Sequence, residues 1–224
     1  MLRQAASSCS QWSVRRRIPA PGENGVRSCG QCVTLPAMKL ALCLCAFFFP
    51  PLAALAEERP PVWAHPVAGV KNLHKVADGL YRCAQPDAAG MAALEKLGVR
   101  TVINLRDHHD GLDEAMGTRL RLLRFEMSAH DIGTEPIARV LALLRESEHG
   151  PFAVHCQHGA DRTGVVCAMF RMVEQGWSRE DAIREMREGG YGFHPLWINI
   201  VRYLEKVDVG KVRKRVDELA PRKP

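Results

Sequence analysis

Cysteine is scarce once the N-terminal segment of this 224-residue chain is set aside. Of its eight cysteines only Cys83, Cys156 and Cys167 lie beyond residue 56, and an odd set of three makes no disulfide framework. The chain beyond residue 56 also has almost no net charge. The first 56 residues hold six of the 31 Lys and Arg and one of the 25 Asp and Glu, so the remainder carries 25 basic against 24 acidic residues. This balance, without interleaved aromatic and basic residues, argues against a nucleic-acid partner.

No apolar run is long enough to cross a bilayer comfortably. The most apolar segment, residues 40–49, follows Met38-Lys39 and precedes the small-residue sequence Ala54-Leu55-Ala56. A positive start, an apolar centre and an Ala-x-Ala end are typical of a secretory signal peptide. We therefore expect a signal peptide over 38–56 and a periplasmic or secreted mature protein without stable membrane insertion. A retained anchor is the alternative.

Residues 1–37 fit no structural pattern. They are rich in Ser, Gly, Pro and Arg and show no periodicity. Because a signal peptide begins at its own methionine, we expect translation to start at Met38 and residues 1–37 to be a non-native upstream extension. Their Cys29-Gly30-Gln31-Cys32 has no βαβ context and is not interpreted as a redox motif.

The most informative segment is residues 155–164, which read HCQHGADRTG. Cys156 and Arg162 lie six positions apart, between a strand-like apolar run at 152–154 and a helix-like apolar run at 165–170. The five residues between them can wrap their backbone N–H groups around one tetrahedral anion, and the helix directs its positive end at the same point. Arg162 offers a planar fork to two phosphate oxygens. A thiol in this position ionises easily, so Cys156 is a candidate nucleophile for phosphoryl transfer.

A cysteine at the end of a buried strand is more often a small core residue. That interpretation does not explain the neighbouring His155, the Gly159 in a tight loop, or the Thr163-Gly164 that opens a helix. We therefore favour the phosphate-loop interpretation.

The motif His-Cys, five residues, Arg-Thr-Gly resembles the signature of the cysteine-dependent protein tyrosine phosphatase superfamily. The surrounding chain is most similar to small exported bacterial dual-specificity phosphatases. The resemblance runs from about residue 76 to about residue 207. Outside the loop it is carried by residues 79–86, 97–106, 175–178 and 189–192.

The resemblance implies an aspartate that protonates the leaving group and later activates water. Asp131 lies in the loop that precedes the catalytic strand, where the family places this acid, and is preferred. Asp107, just after an earlier strand, is the alternative. The loop residues Gln157, His158, Gly159, Ala160 and Asp161 are expected to bind substrate with Arg162, through backbone amides rather than side chains. His155 and Thr163 are expected to support the thiol, with Thr163 donating its hydroxyl to the thiolate.

No metal or organic cofactor is expected, because Arg162 and the loop amides supply the electrostatic stabilisation. The adjacent ligand-type residues 107–110 cannot all face one ion, and no further cluster completes a shell. An acidic residue in the loop, Asp161, argues against highly phosphorylated inositol lipids as substrates.

Strand-like and helix-like segments alternate beyond residue 76, which predicts an α/β fold with a mainly parallel central sheet flanked by helices. The resemblance makes this a dual-specificity phosphatase-like fold. We expect an irregular lead-in at 57–75, the phosphatase domain at 76–208 and a basic tail at 209–224. The tail is interpreted as a solvated helix end, with a membrane or partner patch as the alternative.

The expected reaction is hydrolysis of phosphotyrosine in a phosphorylated protein, with phosphoserine and phosphothreonine as further candidate substrates. One alternative is a phosphatase of small phosphorylated metabolites or lipid head groups. The other is a non-catalytic phosphate-binding module.

Overall fold

The computed structural model describes residues 59–220, and structural statements below refer to this part of the chain. The predicted signal peptide and upstream extension lie outside it. The strands are β1 His65–Pro66, β2 His74–Ala77, β3 Leu80–Cys83, β4 Thr101–Asn104, β5 Arg121–Arg124 and β6 Phe152–His155. The α-helices are α1 Ala88–Lys96, α2 Thr134–Leu144, α3 Asp161–Glu174, α4 Arg179–Glu188, α5 Ile198–Lys206 and α6 Val209–Leu219.

The strands form one sheet in the order β1-β2-β3-β6-β4-β5. The four strands β3, β6, β4 and β5 are parallel, while β1 and β2 add an antiparallel edge. All four residues of β4 and of β6 are buried, as expected of central parallel strands covered on both faces. The predicted α/β fold with a mainly parallel sheet is confirmed.

Two hydrophobic clusters lie on the two faces of the sheet. On one face, Met91 and Leu94 of α1 pack with Val102 and Ala153. On the other, the helices that follow β5 pack against the alternate strand residues, among them Ile103. β6 is therefore covered on both faces and α3 packs within the second cluster, so the loop between them is anchored in the core.

Capping residues mark the ends of two helices. The Asp87 carboxylate accepts a hydrogen bond from the Gly90 N–H at the start of α1, and Gly98 adopts a positive φ just after its end. The Ser178 hydroxyl likewise accepts from the Asp181 N–H at the start of α4. Helix α5 begins at Ile198, three residues after Pro195, and the Ile198 side chain is half exposed.

The predicted domain bounds need correction at both ends. The lead-in at 57–75 is not wholly irregular, since it contains β1 and the start of β2, and Trp63 and Leu73 are buried. The predicted basic tail contains helix α6, which buries Val212 and Val216 against α2 and α3. Its apolar spacing, obscured in the sequence by the many basic residues, makes it part of the domain.

Within residues 59–220, no helix combines the length and hydropathy needed to cross a membrane.

Candidate active site

The loop between β6 and α3 lies at the carboxyl end of the central strands, where parallel sheets bind their ligands. Cys156 directly follows β6 and is 2% exposed, and Arg162 is the second residue of α3. The structure therefore brings the two predicted residues to one short loop, hereafter the phosphate loop, residues 156–162.

The carbonyl groups of the phosphate loop are fastened to the surrounding structure. The carbonyls of residues 157–160 all accept hydrogen bonds from donors outside the loop. The Gln157 carbonyl accepts from the Gln85 N–H at 3.2 Å, and the His158 carbonyl from the Asn72 side-chain amide at 2.9 Å. The next two carbonyls accept from the Arg82 guanidinium, at 2.7 and 3.4 Å.

Because a trans peptide points its carbonyl and its N–H in opposite directions, these bonds turn four consecutive N–H groups away from the supporting structure. They belong to residues 158–161. One of them, the His158 N–H, favours the thiolate form of Cys156 and so lowers the pKa of this thiol. The loop thus has the geometry of an anion-binding nest, as the sequence predicted for its amides. Their contact with substrate stays a prediction.

Gly159 is required by this geometry. Its φ is +70°, and a Cβ there would lie 2.4 Å from the Cys83 carbonyl oxygen and 2.6 Å from the Ala84 nitrogen. The phosphate loop approaches the end of β3 so closely that only glycine fits.

The thiol of Cys156 is poised to ionise. Burial raises its pKa, but the Thr163 hydroxyl and N–H, the Arg162 charge and the His158 N–H together hold the pKa below the usual value for cysteine. The buried Thr163 hydroxyl meets no partner at full hydrogen-bond geometry. We assign the hydrogen bond of this hydroxyl to the Cys156 sulfur, because the Thr163 hydroxyl favours the thiolate more than any of the other neighbouring groups.

His155 supports the loop as a neutral side chain. It is fully buried, and burial lowers its pKa to about 4. Its Nδ1 lies 3.2 Å from the Cys156 carbonyl oxygen. Because a carbonyl only accepts, Nδ1 must carry the proton, which leaves the buried Nε2 without a partner.

The two candidate acids occupy different surroundings. Asp107 lies beside the phosphate loop, with its Oδ1 3.6 Å from Nη1 of Arg162. Its own backbone N–H, followed by the charges of His108 and Arg162, outweighs burial and lowers the pKa of Asp107. A carboxyl group with a lowered pKa is poorly suited to hold a proton near neutral pH.

Asp131 is exposed and lines a groove of about 520 Å³ with residues of α5 and α6. Its loop nevertheless reaches the site, since Nη1 of Arg162 lies 3.4 Å from the Met127 carbonyl oxygen. The Asn199 side chain holds the same loop through the carbonyls of Ala129 and His130. Assignment of the acid to Asp131 stays a prediction.

His158, Asp161 and His194, hereafter the rim cluster, are the only group in residues 59–220 that places three potential metal ligands within 4.8 Å of one another. The Asp161 carboxylate is buried and accepts from both the backbone N–H and Nδ1 of His194, at 3.0 and 2.8 Å. The argument from Asp161 against inositol lipids stays a prediction, and the structure adds that this carboxylate is hydrogen-bonded to His194.

Three residues at the site carried no predicted role: Arg82, Asn72 and His194. Arg82 had a signal, since an arginine within a strand that is otherwise buried is unusual. Asn72 has a positive φ, and no local sequence pattern predicts this conformation or its contact with the loop.

A cysteine with a lowered pKa and an arginine in an amide-lined loop between the central strand and a buried helix are the arrangement expected of a cysteine-dependent phosphatase. The sequence over residues 56–195 matches the family described as "DSP-PTPase phosphatase fused to NAD+ Kinase", and the chain belongs to this dual-specificity phosphatase family. It is a cysteine-dependent enzyme of the tyrosine and dual-specificity type.

Individual relatives agree. The chain is 36% identical over 164 residues to the dual specificity protein phosphatase TpbA of Pseudomonas aeruginosa, covering 72% of this chain and 74% of the relative. The crystal structure of TpbA is similar with a TM-score of 0.66 at 33% identity, over 70% of this chain and 98% of that one. A cysteine-to-serine variant of TpbA in complex with pTyr gives 0.65 at 32% identity over the same shares. The family predicted from the sequence is confirmed.

Proposed function

We propose that the protein hydrolyses phosphotyrosine in a phosphorylated protein through a phosphocysteine intermediate, with phosphoserine and phosphothreonine as further substrates. The observation that carries the proposal is the Cys156 thiol, whose pKa is held below its usual value beside Arg162 and a row of loop N–H groups. The similarity to TpbA, whose variant is solved with pTyr, supports the choice of phosphotyrosine.

In the first step the Cys156 thiolate attacks phosphorus, and the bond from phosphorus to the tyrosine oxygen breaks. The Arg162 guanidinium and the loop N–H groups stabilise the charge on the non-bridging oxygens. The leaving oxygen takes a proton from the acid, assigned to Asp131, so tyrosine departs as a neutral phenol.

In the second step the same carboxylate removes a proton from water, and the water oxygen attacks phosphorus. The bond between sulfur and phosphorus breaks, inorganic phosphate leaves, and Cys156 returns to the thiolate. The Thr163 hydroxyl assists here by donating to the departing sulfur, which is the interaction assigned to it in the resting enzyme.

We further propose a periplasmic or secreted location, which rests on the signal peptide pattern of residues 38–56. The test is mass spectrometry of the N-terminus after expression in a bacterium that cleaves secretory signal peptides. A first residue of Glu57 is the expected result. An intact segment from Met38 in the envelope fraction would indicate an anchor instead.

The decisive experiment compares wild type and Cys156→Ser on phosphotyrosine, phosphoserine and phosphothreonine peptides and on inositol phosphates. Wild type should release phosphate fastest from the phosphotyrosine peptide, and Cys156→Ser should release none from any substrate while still binding phosphate. Faster hydrolysis of inositol phosphates would favour the metabolite alternative. Absence of turnover by wild type would leave a phosphate-binding module.

A further inference from the structure

Arg82 is a buried charge without a carboxylate partner. It belongs to β3, it is 1% exposed, and no ion pair among the described residues includes it. Its guanidinium carbon lies 3.6 Å from the centre of the Tyr191 ring, and its Nε has no hydrogen-bond partner. Burying an unpaired charge is costly, so this arginine needs an explanation beyond packing.

The partners of Arg82 belong to the phosphate loop. Nη2 donates to the Gly159 carbonyl at 2.7 Å and lies 3.4 Å from the Ala160 carbonyl. Gly159 is also the residue whose backbone is pressed against the end of β3. One guanidinium therefore fixes the two peptide planes that carry the N–H groups of Ala160 and Asp161.

We infer that Arg82 is a positioning residue, which sets the direction of these two N–H groups toward the phosphate anion and places a fixed positive charge behind the loop. This inference deepens the proposed function, on which it rests. When the loop holds a thiolate or a phosphate dianion, the attraction of these anions offsets the cost of burying the arginine. The free loop and the bound loop then share one geometry, so binding needs little reorganisation.

The test uses Arg82→Met, since methionine keeps an apolar stem against the Tyr191 ring but donates no hydrogen bond. The matched control is Arg145→Met. Arg145 is also mostly buried and hydrogen-bonded, but it pairs with Glu174 at the far end of α3 and with Asp217 of α6.

Two quantities are measured. The first is the affinity for inorganic phosphate, determined by calorimetry in a Cys156→Ser background, where it does not depend on turnover. The second is the pH midpoint of alkylation of Cys156 by iodoacetamide, in the protein that retains this cysteine. Thermal unfolding of each variant fixes a temperature at which all are folded.

Loss of two hydrogen bonds from a charged donor should weaken phosphate binding by roughly 10- to 100-fold in Arg82→Met. It should also move the alkylation midpoint to higher pH. Arg145→Met should lower the unfolding temperature and leave both quantities as in wild type. An Arg82→Met protein with unchanged phosphate affinity and alkylation midpoint, or an equal loss in Arg145→Met, would overturn the inference.

If Arg82→Met does not fold, Arg82→Lys decides. Lysine keeps the charge, but it lacks the planar guanidinium that stacks on the Tyr191 ring and thereby holds Nη2 at the two carbonyls. Weaker phosphate binding in a folded Arg82→Lys protein supports the positioning role, and unchanged binding overturns it. Because phosphate affinity is read without catalysis, failure of this inference is distinguishable from failure of the proposed reaction, which the peptide assay alone decides.

Discussion

Replacing Gly159 by alanine perturbs the phosphate loop at its closest approach to the sheet. The added Cβ would lie 2.4 Å from the Cys83 carbonyl oxygen and 2.5 Å from its carbon, both of which are backbone atoms of β3. Such atoms cannot swing aside as a side chain does, so the loop itself must move. The φ of +70° adds strain for any residue with a Cβ.

Two contributions set the expected loss of stability. The left-handed conformation costs about 1–2 kcal/mol. Forcing a methyl group into a packed site adds about 1–3 kcal/mol. Gly176→Ala separates them, because Gly176 has a nearly identical φ of +72° and nothing lies within 4 Å of its Cβ position. We expect Gly176→Ala to show only the first cost and Gly159→Ala to show both.

Activity should separate the two variants further. A displacement of the loop by about 1 Å can lower turnover by roughly 10²-fold, since the N–H groups no longer converge on the phosphate. Urea unfolding gives the free energies, and kcat/KM on an aryl phosphate gives the activity. The reasoning is refuted if Gly159→Ala matches Gly176→Ala in both measurements.

Three other outcomes are expected. Asp131→Ala should slow phosphotyrosine hydrolysis by roughly 10²- to 10⁴-fold. The same variant should slow hydrolysis of a highly activated aryl phosphate much less, because that leaving group departs without a proton. Asp107→Ala should slow both substrates to a similar extent. The opposite pattern in the two variants would make Asp107 the acid. Burial lowers the pKa of His155 from 6.5 to about 4, so its neutral form stabilises the fold fully above pH 6.5. This stability, up to about 3 kcal/mol, is lost as the pH falls toward 4. In His155→Gln the urea midpoint should therefore depend less on pH between 6.5 and 4 than in wild type, and an equal dependence would contradict the reasoning. Treatment with EDTA should leave turnover unchanged, and a loss restored by zinc would implicate the rim cluster.

The chemistry of the phosphate loop was predictable because it depends on local spacing. Cys156 and Arg162 are six residues apart, so one strand, one turn and one helix place them, and each of these has its own sequence pattern. The residues that hold the loop were not predictable in the same way. Arg82 and Asn72 lie 77 and 86 residues from the carbonyls that they bind, and only the pairing of β3 with β6 brings the first of them there. Hydrogen bonds over such separations have no local signature.

The C-terminal bound of the domain was also hard to predict, because it depends on how helix α6 packs. The spacing of Val212 and Val216 fits one face of a helix, yet the dominant composition of this segment is basic. The structure shows where part of that charge goes, since Arg215 forms an ion pair with Glu135 of α2 and Arg213 donates to the Val173 and Met172 carbonyls. An ion pair or hydrogen bond to a distant helix leaves no local pattern in the sequence of the basic segment.

The two aspartates illustrate what structure adds to a choice that sequence leaves open. Both Asp107 and Asp131 follow strands at the carboxyl edge of the sheet, so topology alone admits either. The pKa of Asp107 is lowered chiefly by its own backbone N–H and further by the charges of His108 and Arg162. This favours the ionised carboxylate and is an argument against Asp107 as the acid. Among residues 59–220 Asp131 forms no ion pair, while its loop still touches Arg162 through Met127. The choice of Asp131 therefore rests on the place of its loop. A carboxyl group there would give a proton to the leaving oxygen in the first step and, once ionised, take one from water in the second.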